Sequence, residues 1–509
     1  MQRSFILACG FVGCIGVAAI SAGSGDGDQH RGRSADFGAW VQEALRANAE
    51  QLFGFTHPLR ESALGPFDGS STQALVVAKG LKVSLVSSAV HFSADQIALW
   101  PDDDHPTHLF VCDEESSNPA VQRVDLSRPN ANATTIVTGI VACDPVRRTP
   151  WGTIIVAEEA GLTGGFYEIF NPAAITTAIN VTDRGTGANT DSTHLAKQKA
   201  IGSLSFESFA IREDGTMIYG DELAPSGGNA GGGIYKFVPD MPYSGGGVIT
   251  SPGQSPFASG KIYGLRVAAA GSSNWGQGAE TGKGAWVAVN TAPTGVVDAN
   301  GNILLRNAQL LQKFTGYYRP EDMDIDPLAA EQDVFRACWA NTGRMSHSTG
   351  SLVENSDVAS EVMCLTEEPP STAVPSPVTG TIPSVQRFVP GDRAGQMYDN
   401  VAFQPHTGNL AIAEDGPTSL VTETGTELRG NDIWICLPDG DDKDNQTDGC
   451  VRMASLKDTT SEPTGIIFTG SGETMYLSLQ HRGVDEAGGT GSLVKITGFK
   501  VNCEHDHRR

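Results

Sequence analysis

The chain has 509 residues, of which 39% are hydrophobic and only 18% charged, and it carries 60 glycines. Low charge with abundant glycine argues against a helical protein and for many short strands joined by tight turns. A formal net charge of -24, with no local cluster of lysine or arginine, excludes nucleic acid as a partner, because its phosphates would be repelled.

The N-terminus reads as a signal peptide over residues 1–23. Gln2-Arg3 is a short basic start, residues 5–20 are apolar, and small residues follow at Ser21-Ala22-Gly23-Ser24. The apolar run is too short to span a bilayer, and no other segment approaches one, so no membrane span is expected in the mature chain. The expected location is secreted or periplasmic. Residues 24–79 read as a polar leader with a short amphipathic helix, whose Trp40, Val41, Ala44, Leu45 and Leu52 share one side.

From residue 80 to 500 the helical period disappears. A loose repeat takes its place: a short apolar strand, a turn, a second apolar strand, then polar and often acidic residues. Six copies are legible. They start near Gln96, Cys143, Glu207, Glu321, Asp399 and Thr464, and end at Glu114-Glu115, Glu158-Glu159, Asp221-Glu222, Asn341, Glu414-Asp415 and Gln480-His481. The pattern predicts an all-β, six-bladed β-propeller with loop insertions and a short N-terminal helix. Residues 501–509 read as a tail. The Ser/Pro-rich stretch 369–383 reads as a surface loop, since repeats continue beyond it.

Seven cysteines lie beyond the leader. In an exported chain, Cys436 with Cys450, Cys338 with Cys364 and Cys112 with Cys143 are plausible disulfides, and Cys503 is left over. The acidic loop 439–449 resembles a calcium loop, but lacks the glycine and glutamate of an EF-hand.

In a propeller, equivalent positions of successive blades converge on the central channel. The converging residues would include Glu158, Glu159, Glu207, Asp221, Glu222, Glu321, Asp399, Glu414 and Asp415. Carboxylates packed this densely repel one another unless cations neutralise them. Hard oxygen ligands suit Ca2+. Lone acidic residues after strands are ordinarily solvated turn formers, so the argument rests on their recurrence at one phase.

Several ordered segments resemble the PhoX-type alkaline phosphatases. They are Thr149-Pro150-Trp151-Gly152-Thr153 leading to Glu158-Glu159, then Phe206-Glu207-Ser208 with Asp221-Glu222, then Arg319-Pro320-Glu321, Asp399-Asn400 with Glu414-Asp415, and Glu462-Pro463-Thr464-Gly465 with Gln480-His481. The resemblance implies a six-bladed propeller that hydrolyses small phosphorylated substrates outside the cytoplasm with an iron–calcium cluster. It implies Glu158 and Arg319 as catalytic, and Arg319, Asn341 and His481 as substrate-binding. By motif position it implies Glu158, Glu207, Glu321 and Glu414 or Asp415 as metal ligands, and the repeat argument widens the expected set to the nine carboxylates named above. The family's cysteine before the glutamate pair is Ala157 here. Thiolate is the soft ligand, so Fe3+ is in doubt where Ca2+ is not. A calcium-dependent lactonase or esterase and a non-catalytic, calcium-stabilised binding propeller remain the alternatives.

Overall fold

A computed structural model describes residues 39–63, 71–115, 120–128, 130, 133–225, 229–267, 280–343, 360–390, 395, 397–415, 419–422, 425–440, 443–459, 461–480 and 491–501. The expected signal peptide, His481, Cys503 and the tail beyond residue 501 lie outside the described residues.

Six sheets, antiparallel except where Ile179–Asp183 joins Ala133–Thr138 in parallel, stand around one axis. Their innermost strands are Ala94–Trp100, Cys143–Arg148, Phe206–Ile211, Pro320–Ile325, Tyr398–Phe403 and Glu462–Phe468, in blades one to six. Each inner strand packs on the next, and the sixth on the first, which closes the ring. The chain is the expected six-bladed propeller.

Closure comes from the two ends of the fold. Strand Lys82–Ser87 pairs antiparallel with Ser492–Thr497 and becomes the outer strand of blade six. Just upstream, Leu75–Val77 adds to blade five along Cys450–Leu456. The helices Ala39–Ala47 and Ala49–Phe53 seat Leu45 and Phe53 in the core between blades five and six. The largest insertion follows the third strand pair. It supplies the outer strands of blade three and the helix Leu305–Gln312, which the sequence pattern does not announce.

Why the strands read as nearly continuous apolar runs is clear from the core. Six apolar clusters fill the six wedges between neighbouring blades. Successive residues of a strand face opposite wedges, and both are dry. Leu109 and Val111 enter the wedge with blade six, while Phe110 and Cys112 enter the wedge with blade two.

One irregularity repeats in every blade. The pairing of the inner strand with its neighbour shifts register near its start, between Ala94 and Ile97, Cys143 and Val146, Phe206 and Phe209, Pro320 and Met323, Tyr398 and Val401, and Thr464 and Ile467. A bulge re-aims the side chains it contains.

All three expected disulfides form. Cys338–Cys364 and Cys436–Cys450 each join directly paired residues within one blade. Cys112–Cys143 instead joins blade one to blade two. Replacing Cys112 and Cys143 together with serine is expected to cost about 2–4 kcal/mol, read as a lower unfolding midpoint in denaturant.

Candidate metal centre

The bulges place a carboxylate at the same point of five inner strands: Asp95, Asp144, Glu207, Glu321 and Asp399. Each follows the first residue of its strand. In blade six the shift falls between Thr464 and Ile467, so Gly465 stands at that point, and the blade supplies Glu462 from three residues upstream instead. All six of these side chains are buried.

A second tier comes from the ends of the neighbouring strands. Glu114, Glu159, Glu222 and Asp415 are half-buried and face the first tier. Donor oxygens of Asp95, Glu114 and Asp144 lie within 4.8 Å of one another, and so do those of Glu159, Glu207 and Glu222. Glu321, Asp399, Asp415 and Glu462 complete the circuit through their mutual repulsion.

Period-two geometry decides which half of each acidic pair reaches the channel. The first residue of the pair turns into its own blade. Glu158 accepts hydrogen bonds from the backbone of Val141 (2.9 Å) and Gly165 (2.8 Å), and pairs with Arg184 at 2.6 Å. Asp221 pairs with Arg306 at 2.8 Å and takes the Ser205 N–H. Glu414 accepts from Trp434 Nε1 (2.9 Å) and Asp432 N, and pairs with Arg429 at 3.0 Å. Asn341, at the same position of blade four, donates to Glu361 and accepts from Trp339.

The nine expected metal ligands therefore divide. The structure brings Glu159, Glu207, Glu222, Glu321, Asp399 and Asp415 together. It places Glu158, Asp221 and Glu414 in the blades, each matched to an arginine, and Asn341 likewise lies off the ring. Sequence reasoning passed over Asp95, Glu114, Asp144 and Glu462. Their signal was the shared repeat phase: Asp95 and Asp144 stand at the position of Glu207.

Ala157 is buried in the apolar wedge between blades two and three, with Phe166 and Phe206. The residue at 157 thus faces the core rather than the ring. The described ring residues offer oxygen donors and no sulfur.

Arg319 is the one cation among the described ring residues. Its Nε donates to Glu222 at 2.5 Å, and its Nη2 lies 2.9 Å from Glu321. Its backbone sits at φ 53°, a left-handed conformation that costs a non-glycine residue about 1 kcal/mol or more. Burial disfavours its charge, but Glu321 and Glu222 more than compensate, and it stays protonated.

For the carboxyls the balance runs the other way. Burial, then the charge of Glu222, pushes Glu159 up to about 11. Glu321 rises to about 8 through burial, despite Arg319, and Glu114 to about 7. Asp95, Asp144, Glu207, Asp399 and Glu462 are driven well above the usual carboxylate range by burial and by one another. One guanidinium against ten carboxylates leaves a site that requires protons or cations.

The comparisons with known proteins meet this geometry. A family profile described as alkaline phosphatase PhoX matches residues 115–483. The chain belongs to the PhoX family. PhoX from Pseudomonas fluorescens, solved in complex with vanadate, a transition-state analogue, superposes with a TM-score of 0.58 at 14% identity, covering 86% of this chain and 98% of that one. At that identity the likeness speaks for the fold. A luciferin-regenerating enzyme (TM-score 0.43, 10% identity, 82% and 97% covered) and a gluconolactonase from Xanthomonas campestris (0.40, 10%, 87% and 100%) are more distant. A search of curated proteins returns no match. Alkaline-phosphatase-like function and acidic groups able to hold metal ions are what PhoX membership and the ring support together.

Two outcomes follow for this PhoX chain. Each raised carboxyl binds its proton more tightly folded than unfolded. Without divalent cations, stability should therefore fall as pH rises from about 5 to about 8, through the values of Glu114 and Glu321. Thermal midpoints in chelator should show that slope, and saturating calcium should flatten it. Second, Glu158→Ala should lower the midpoint by roughly 3 kcal/mol of stability, because Arg184 and two backbone N–H groups lose their acceptor, with little change in bound metal. Glu159→Gln should do the reverse, which metal analysis beside calorimetry will show.

Proposed function

We propose that this protein is an exported, metal-dependent phosphomonoesterase whose cations are held by the two-tier carboxylate ring. The observation that carries the reading is the ring itself, six buried and four half-buried carboxylates around Arg319, in a chain of the PhoX family. A phosphate monoester is a dianion, and the bare ring would repel it. Cations must therefore be seated before substrate.

The donor set fits calcium, since it is all oxygen and drawn from several strands, which tolerates an irregular shell. Asp95, Glu114, Asp144, Glu159, Glu207 and Glu222 would hold it, with Glu321, Asp399, Asp415 and Glu462 completing the shell. Bound cations would supply charge neutralisation of the phosphoryl oxygens and an activated oxygen nucleophile. Iron finds no thiolate among these residues, so calcium is taken as the resident ion and activity is expected without added iron.

The chain's own residues do the rest. Arg319 is fixed by Glu222 on one edge and Glu321 on another, so its guanidinium reaches a phosphoryl oxygen without reorganising. Thr342 Oγ1 donates to Glu321 at 2.8 Å and holds that carboxylate in register. A polar layer beneath the ring ties the inner strands together: Gln96 Nε2 donates across to the Glu207 carbonyl, and Thr464 to Asn400. Export is supported by the three disulfides, which persist in oxidising compartments. No described helix is long and apolar enough to cross a membrane.

The deciding assay is hydrolysis of p-nitrophenyl phosphate by the mature chain with calcium, with and without ferric iron, alongside metal analysis. Arg319→Ala should lower kcat/KM roughly 100-fold, and Glu207→Gln should lose both metal and activity. No turnover under any metal condition, with calcium bound, would sink the reading and leave a lactonase or a binding propeller.

A further inference from the structure

Blade one holds its strand-end acid differently from its neighbours. Asp113 stands directly across the pairing from Ala94, the first residue of its inner strand. Glu158, Asp221 and Glu414 stand across from Cys143, Phe206 and Tyr398 in the same way. Asp113 is therefore the counterpart of those three, and like them it is buried at the end of its strand. Each of the three pairs with an arginine. Asp113 pairs instead with the imidazole of His91, whose Nδ1 meets its Oδ2. The other oxygen, Oδ1, accepts the N–H of Glu115 at 3.0 Å.

His91 is built into that place. It lies in the turn that leads into the inner strand of blade one. Its N–H donates to Oε1 of the buried Gln122 at 2.8 Å. Its carbonyl accepts from the N–H groups of Gly491 (3.1 Å) and Ala94 (3.2 Å). These bonds fix where the side chain starts, and 34% of that side chain is exposed.

The residue after Asp113 is Glu114. It shares a donor cluster with Asp95 and Asp144, and the Gln480 amide donates to it from blade six. The Asp113 carboxylate is held by His91 on one oxygen and bends the chain back to Glu115 with the other, so the side chain between them faces the ring. Without its partner, a carboxylate in so dry a place is driven toward water, and Glu114 would turn with it.

We propose that His91 is a positioning residue of the metal centre: by holding Asp113 inside blade one, it aims Glu114 at the cation site shared with Asp95 and Asp144. The role rests on the reading of the ring as a calcium site. His91 does for Glu114 what Arg184 does for Glu159, Arg306 for Glu222 and Arg429 for Asp415. In blade one the partner comes from the turn itself, so a short side chain suffices.

The test is calorimetric titration of the mature chain with calcium, beside thermal midpoints in chelator. His91→Ala should weaken calcium binding roughly tenfold or more. Asp113→Asn should weaken it too, and the double variant should be no weaker than the weaker single one. His91→Arg, which gives blade one the arginine of its neighbours, should restore the affinity. A lower midpoint in His91→Ala with calcium affinity unchanged would make His91 a support of stability only and overturn the proposal. So would additive losses in the double variant, or a folded arginine variant that binds no better than the alanine one. A wild-type chain that binds no calcium would overturn both this role and the ring as a calcium site.

Discussion

Repulsion among carboxylates held in a dry place is the constraint on which this fold depends. Ten acidic side chains converge on one channel mouth, with one arginine among the described residues there. No single strand could present them so closely. Six strands can, because each carries the same bulge at the same height. The scaffold that holds them is apolar and wedge-packed, so the energy opposing the repulsion comes from blade contacts far from the site. The strained backbone of Arg319 belongs to the same balance, since it sets a permanent positive charge between Glu222 and Glu321.

The paired acids show how a propeller separates support from chemistry. Glu158, Asp221 and Glu414 are each the last residue of a strand and each carries an arginine from its own surroundings. Glu159, Glu222 and Asp415 follow directly and turn the other way. A buried ion pair of this kind adds little net stability, but it pins the strand end, and with it the direction of the next side chain.

Much of this was legible in the sequence, and the parts that were not have physical reasons. The six copies, their order and the three disulfides came through because hairpins and cysteine spacing are local. Ring membership did not come through whole. A doublet such as Glu158-Glu159 marks a strand end, but which member faces the channel depends on register, which no doublet records. Asp95 and Asp144 sit in copies whose inner strands look less acidic than Phe206-Glu207-Ser208, yet the bulge gives them the same place. The roles of Arg184, Arg306 and Arg429 were invisible, because each comes from a loop or insertion outside the repeat. Ala157 looked like a missing ligand, but strand alternation turns position 157 into the core.

Closure of blade six has a consequence in time. Its outer strand, Lys82–Ser87, comes from the start of the fold and its neighbour, Ser492–Thr497, from the end. Contacts so far apart in sequence form slowly, after loop entropy has been overcome. Glu462 lies in that last blade, so the ring is incomplete until nearly the whole chain has emerged and its ends have met. A chain that leaves the cell unfolded would thus carry its acidic residues apart, harmless and without affinity for cations. The centre would come into being in one step, where calcium is abundant, as the circle closes.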